Sequence, residues 1–187
     1  MKPVVVIDKI METAERLFYQ QGYNLTGINQ IIEEANISKP SLYNHFKSKN
    51  DLLLAYIDQL YKRWFDGLDA FTKDITDPLD LLIAFVDYRI SRQIKSAYGG
   101  CPWNKILSEM PKEEMEVLER GAKFKSDFKA RIASLVKQLD RPKDKLLNDE
   151  EFTDIIFSEM ESGVLMAYVT KSCETLEKAK NIIRKLA

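Results

Sequence analysis

Apolar residues recur at helical spacing along almost the whole 187-residue chain, and wherever the pattern stops a glycine, a proline or an N-cap residue stands at the break. From about Val5 to Gln20, the residues Ile7, Ile10, Met11, Ala14, Leu17 and Phe18 share one helical face, and Gly22 ends it. Two short helices follow, about Ile28–Ala35 and Lys39–Phe46, separated by Asn36-Ile37-Ser38. Ser48 with Asp51 opens a long helix striped by Leu53, Ile57, Leu60, Trp64, Leu68 and Phe71. Asp77-Pro78 is an N-cap with an N1 proline and predicts a helix to about Lys95. After the break at Tyr98-Gly99-Gly100, a short segment Pro102–Met110 precedes a helix from Pro111 to about Leu139, with Met115 and Leu118 at its start. Asn148 and Glu151 form a capping box opening a helix to about Ser172, and Thr175–Leu186 closes the chain. About nine helices and no convincing strand make the fold all-α. Only seven glycines and six prolines argue independently against a turn-rich β fold.

The segment Thr26–Lys49, TGINQIIEEANISKPSLYNHFKSK, constrains function most. Its first helix buries Ile28, Ile31, Ile32 and Ala35, its second Leu42 and Phe46, and a joint this tight suits a left-handed Asn36. That is a helix-turn-helix, whose second helix enters the DNA major groove. The exposed side of that helix offers Lys39, Pro40, Ser41, Tyr43, Asn44 and His45, donors for bases and phosphates without a carboxylate among them. A plain helical hairpin with a polar outer face fits the same spacing. The net charge of −1 excludes binding to polyanions by bulk charge alone; locally, Ser38–Lys49 holds Lys39, Lys47 and Lys49 and no acid.

Other chemistries find little in the chain. His45 is the single histidine, and no Gly-rich phosphate loop or Cys/His cluster occurs, so no catalytic residue, metal site or cofactor is expected. Cys101 and Cys173 lack CxxC spacing; Cys101 reads as a small buried hydrophobe, with a sensor thiol at a helix start as the alternative. No apolar run is long enough to span a membrane and the start is too short an apolar stretch for a signal peptide, so the chain reads as cytoplasmic. The aromatics beyond residue 60 read as core, or as pocket lining where Tyr88, Asn104 and Tyr168 add polar groups.

The N-terminal amphipathic helix with Leu17-Phe18, then Gly22-Tyr23, the hairpin with Ser38-Lys39, Leu42-Tyr43 and His45-Phe46, and Ser48-Lys49 opening a long helix resembles the DNA-binding domain of TetR-family transcriptional regulators, without gaps from about Ile10 to Leu54. Gly100–Asn104, GCPWN, resembles a stretch at the start of the family's sixth helix. The resemblance implies a DNA-binding domain over 1–47 and an effector-binding and dimerisation domain over 48–187, with helix 49–71 connecting them. It implies phosphate contacts from Tyr43 and Lys49, with Ser41 and His45 as further candidates and Thr26 or backbone amides in place of a capping side chain at Gly27. It implies base contacts from Lys39, Pro40 and Asn44, with Asn29 able to reach the groove, and Ser38 as a further DNA-binding residue. Gly27 departs from the usual capping Ser or Thr, Asn36 from the usual glycine, and Ile32 from a common alanine. The implied protein is a homodimeric repressor that binds a palindromic double-stranded DNA operator and is released by a small-molecule effector, its pocket near Trp64, Tyr88, Trp103, Asn104 and Tyr168. Control by a protein partner without an effector is the alternative. Dimerisation is expected through the helix from about Asp149 to Ser172 together with the final helix, as a four-helix bundle in which Gly163 and Ala167 would let another helix approach. The alternative is that the extra apolar residues of this helix face the chain's own core.

Overall fold

The structure, a computed structural model, describes residues 6–142 and 146–187. Among the described residues there are nine helices and no strand: α1 (Val6–Gln20), α2 (Ile28–Glu34), α3 (Lys39–His45), α4 (Lys49–Thr72), α5 (Pro78–Lys95), α6 (Pro102–Glu109), α7 (Met115–Val136), α8 (Asp149–Thr170) and α9 (Glu174–Leu186). Val5, where the first apolar stripe begins in the sequence, lies outside the described residues. No described helix is long and apolar enough to cross a membrane.

The chain divides into two compact units, Met1–Arg63 with Pro102–Gly121, and Trp64–Cys101 with Ala122–Ala187. In the first, Ile10, Ala14, Leu17 and Phe18 of α1 are buried, as are Ile31 of α2, Leu42 of α3, and Leu52, Leu53, Tyr56 and Ile57 of α4. Phe18 meets Tyr23 and Tyr56 with ring centroids 5.5 and 5.8 Å apart. Trp103 and Ile106 bury α6 in the same unit, and the Leu107 side chain packs where a Cβ on Gly121 would stand, 2.5 Å away.

The second unit is built around Trp64. Its indole meets Phe65, Tyr88, Phe124 and Phe128 edge-on, at centroid distances of 4.9, 5.7, 5.2 and 4.8 Å. The Tyr88 hydroxyl donates to the Trp64 carbonyl at 3.2 Å. Arg141, just beyond α7, ties the end of α9 to the start of α8: Nε donates to the Leu186 carbonyl, Nη1 to Asp149, Nη2 to the Leu147 carbonyl, and the guanidinium lies over Phe152. Gly163 is occupied from within this unit, since a Cβ there would meet Leu176 of α9 at 2.5 Å, and Ala167 is fully buried. Gly163 therefore serves the chain's own α8–α9 packing and Ala167 is enclosed within the chain, which corrects their assignment to a partner helix.

Helix ends differ from the sequence reading for local reasons. Residues 111–114 form a turn, with Glu114 N–H on the Pro111 carbonyl and Met115 N–H on Glu113, so α7 starts at Met115, whose side chain is exposed. Its C-terminal turn tightens through Gln138 N–H to Leu135 and Leu139 N–H to Val136. Lys171 takes φ +54° and stops α8 at Thr170. At the end of α5 the left-handed positions fall on Ala97 and Tyr98 as well as Gly100. Phe71, placed in the apolar stripe of α4, is 45% exposed.

Candidate nucleic-acid interface

The α2–α3 hairpin is fixed at its joint and at the start of α3. Asn36 takes φ +51°, and its N–H bonds the Glu33 carbonyl while Ile37 N–H bonds Ile32. Ser38 caps α3, accepting from Ser41 N–H at 3.3 Å, and Pro40 occupies a first-turn position that needs no donor. Leu42 and Phe46 bury one side of α3. The other side is left to solvent: Ser38, Lys39, Pro40, Tyr43, Asn44 and His45 are exposed, Ser41 is half-buried, and Asn29 is exposed in the first turn of α2. Lys47, two residues past α3, is exposed as well and extends this acid-free surface beyond the residues singled out from sequence. Such a surface offers hydrogen-bond donors of graded length and one aromatic hydroxyl, the equipment for phosphate and base-edge contacts.

Two expected phosphate contacts are placed differently. Thr26 is fully buried and its hydroxyl donates to the Gly22 carbonyl at 2.6 Å, closing the turn before α2. Lys49 directs its ammonium inward, donating to the carbonyls of Tyr23 at 2.9 Å and Thr26 at 3.0 Å, with Nζ 4.0 Å from the Tyr23 ring centroid. Burial pushes the Lys49 pKa down, and nearby Glu109 opposes that shift. Both residues thus organise the corner that presents α2 and α3.

The same corner is gripped by α6. Glu109 accepts from Asn24 N–H at 2.8 Å, the Asn24 side-chain amide donates to the Glu109 carbonyl at 3.2 Å, and Lys105 donates to the Tyr19 carbonyl at 3.0 Å. Gly22 makes this possible: its φ is +90°, and a Cβ would sit 2.2 Å from the Glu109 carboxylate. Sequence patterning gave no sign of Lys105 or Glu109, because both lie on the polar face of an ordinary amphipathic helix.

Gly27 begins α2 with no side-chain cap, in extended backbone (φ −84°, ψ 145°), and its missing Cβ would meet nothing within 4 Å. Gly27→Ser is therefore expected to cap α2 and raise stability by about 0.5–1 kcal/mol through the added acceptor and a less flexible unfolded chain. The check is a higher urea midpoint at unchanged slope. An unchanged or lower midpoint would contradict this geometry.

The residues expected to meet an effector fall into separate places. Trp64 and Tyr88 pack together in the second unit. Tyr168 belongs to that unit but is 44% exposed, its ring covering Gly100. Trp103 and Asn104 belong to α6 in the first unit, where Trp103 is buried and Asn104 exposed. Sequence reasoning missed Arg89 and Glu161, an ion pair at 2.6 Å inside the second unit. The only signal was weak: Arg89 follows the apolar stretch 81–86 on α5, but Asp87 and Arg92 flank it there as ordinary surface charges would. Among the described residues no group of three His, Cys, Asp or Glu side chains could hold a metal.

Residues 10–56 match the family model for bacterial regulatory proteins, tetR family. Over 181 residues the chain is 26% identical to an uncharacterized HTH-type transcriptional regulator from the lacX 3' region of Lactococcus lactis, covering 95% of this chain and 90% of that one. It is 31% identical over 115 residues to the uncharacterized HTH-type regulator YuxN of Bacillus subtilis, covering 56% of this chain but 38% of that protein. A crystal structure of a TetR transcriptional regulator from Legionella pneumophila superposes with a TM-score of 0.80 at 20% identity, covering 99% of this chain and 98% of that one, which shows a common fold.

Proposed function

We propose that the chain, whose residues 10–56 match the tetR-family model, is a cytoplasmic helix-turn-helix repressor and not an enzyme, that it binds a palindromic operator as a homodimer, and that it lets go when a small molecule binds its C-terminal part. The observation that carries the DNA-binding role is the acid-free, solvent-facing side of α3 on a hairpin whose other side is packed. In this reading residues 1–47 address DNA and residues 48–187 hold the effector site and the dimer contact. Tyr43, Ser38, Ser41 and His45 hold phosphates, while Lys39, Pro40, Asn44 and Asn29 face base edges. The α4 helix, 24 residues and about 36 Å long, begins beside the hairpin and continues to Trp64 and beyond, so a tilt of it couples effector to operator. Trp64, Tyr88, Tyr168, Trp103 and Asn104 are the candidate effector contacts in this reading.

The dimer contact follows from α8. Ser158, Ser162, Leu165, Met166 and Val169 are all exposed and fall on one helical face, two small residues leading to three apolar ones. An isologous contact across a twofold axis would bury that face and set two copies of α3 about 34–36 Å apart along straight DNA.

Selection of bound sequences from a random duplex pool, followed by a release screen with small molecules on the selected site, tests the whole proposal. A palindrome and at least one releasing compound are expected. Tight palindrome binding with no releasing compound would move control to a protein partner, and no selected sequence would overturn the regulator's proposed mode of action. Within that assay Lys39→Ala should relax base preference at one position of each half-site by about 1–3 kcal/mol, whereas Tyr43→Phe should weaken all sequences alike. An unchanged selected site with Lys39→Ala would remove lysine from base reading.

A further inference from the structure

The middle of helix α5 is largely buried, with Leu82 through Val86, Tyr88 and Arg89 all enclosed. A guanidinium in such a setting bears a desolvation cost unless each N–H finds an acceptor. Arg89 is paired only in part. Its Nη2 donates to Glu161 of α8 at 2.6 Å, whereas Nε is buried with no hydrogen-bond partner. The guanidinium carbon lies 4.6 Å from the Phe128 ring centroid and 5.7 Å from that of Trp64, so the guanidinium sits beside two aromatic rings.

Glu161 serves two cations at once, because its second oxygen accepts from Lys125 of α7, whose ammonium lies 5.7 Å from the Phe124 centroid. Burial alone would raise the Glu161 pKa, but Arg89 and Lys125 hold it below the ordinary carboxylate value. The side chains of Lys125 and Glu161 keep 22% and 19% of their exposure, so this edge of the cluster reaches solvent while Arg89, at 5%, does not. A row of rings leads inward as well. Phe71, 45% exposed, has its centroid 5.6 Å from Tyr88, and Tyr88 is 5.7 Å from Trp64, which faces Arg89.

We propose that Arg89 anchors an organic anion, a carboxylate on a planar aromatic body, as the effector class of this regulator. The inference rests on the effector reading above. The ligand carboxylate takes the Nε–H and competes with Glu161 for the guanidinium edge, the side-on geometry that guanidinium and carboxylate share. Glu161 remains on Lys125, and the aromatic body lies along the Phe71–Tyr88–Trp64 row. A buried N–H that costs free energy when unanswered becomes the source of selectivity, since an alcohol or amine of the same shape gains less there or is repelled.

Calorimetric titration of the full chain with 1-naphthoate, 1-naphthalenemethanol and 1-naphthylmethylammonium tests this. The carboxylate is expected to bind about 10–100-fold more tightly than the alcohol, the range one charge-assisted hydrogen-bond pair provides, with the ammonium weakest. Arg89→Gln should erase the preference for carboxylate over alcohol while alcohol binding persists. Glu161→Gln should raise carboxylate affinity about tenfold by weakening the internal competitor. The second variant keeps the test decisive if the first fails to fold, as does the double variant R89Q/E161Q, which leaves no half of the pair buried alone. Equal binding of carboxylate and alcohol, preference for the ammonium, or no binding by the carboxylate would overturn the proposal. Operator release by a neutral or cationic compound would overturn the anion class alone, whereas no release by any compound would count against the effector reading itself.

Discussion

Replacing Leu165 and Val169 together by glutamate should yield a folded monomer that binds a full palindrome about 10²–10⁴-fold more weakly, the avidity lost when two linked half-site contacts become independent. The two side chains are 58% and 64% exposed in the single chain, so the substitutions remove little of its own core. In the proposed dimer each would leave water, and burial of such a side chain is worth about 1.5–3 kcal/mol. Each is counted twice across a twofold axis, and four carboxylates would replace them in one desolvated patch. Sedimentation should show a monomer at micromolar concentration, circular dichroism an unchanged helix content, and half-site binding should change little. A variant that stayed dimeric, or a native chain already monomeric that still bound the full palindrome tightly, would show that the α8 face is not the contact.

The apolar residues on α8 also show where sequence periodicity stops being informative. Spacing placed Gly163 and Ala167 correctly on a close-packing face, but the same spacing serves the chain's own α9 or a second copy, and only the position of Leu176 distinguishes them. Element starts were legible because their chemistry is local. Asp77 accepts from Asp80 N–H before Pro78, and both bonds of the Asn148–Glu151 box form. Ends were less so. Ala97, Tyr98 and Lys171 take left-handed backbone without being glycine, and the Tyr98 carbonyl accepts from Lys171 at 3.4 Å, a contact between segments far apart in the sequence. The exposed side of α3 was readable from a short helix with two apolar anchors. Arg89 was not distinguishable by its charge, because Asp87 and Arg92 flank it on the same helix and only its burial sets it apart. What it lacked from sequence was its partner, seventy-two positions away on α8.

Lys49 gives the second large effect, and it separates a residue that touches DNA from one that shapes the surface touching it. Lys49→Met keeps the aliphatic stem and removes the charge, leaving the Tyr23 and Thr26 carbonyls without the donor they share and the Tyr23 ring without its cation. Hydrogen bonds to charged groups contribute about 1.5–3 kcal/mol each, and the burial of the ammonium offsets part of two, so a loss of about 2–4 kcal/mol is expected. That loss falls on the α1–α2 corner, where Thr26 closes the turn and Glu109 holds Asn24, so the hairpin should lose its fixed angle before the second unit is affected. Operator binding should therefore weaken together with a lower urea midpoint. Its salt dependence should keep its slope, because no phosphate contact has been removed, and each such contact would account for about 0.9 in the logarithmic slope. Lys39, on the exposed side of α3, provides the contrast: its removal leaves the urea midpoint alone. If Lys49→Met instead lowered the salt slope by about one with an unchanged midpoint, the ammonium would turn outward on DNA, and the inward geometry would belong to the free chain alone.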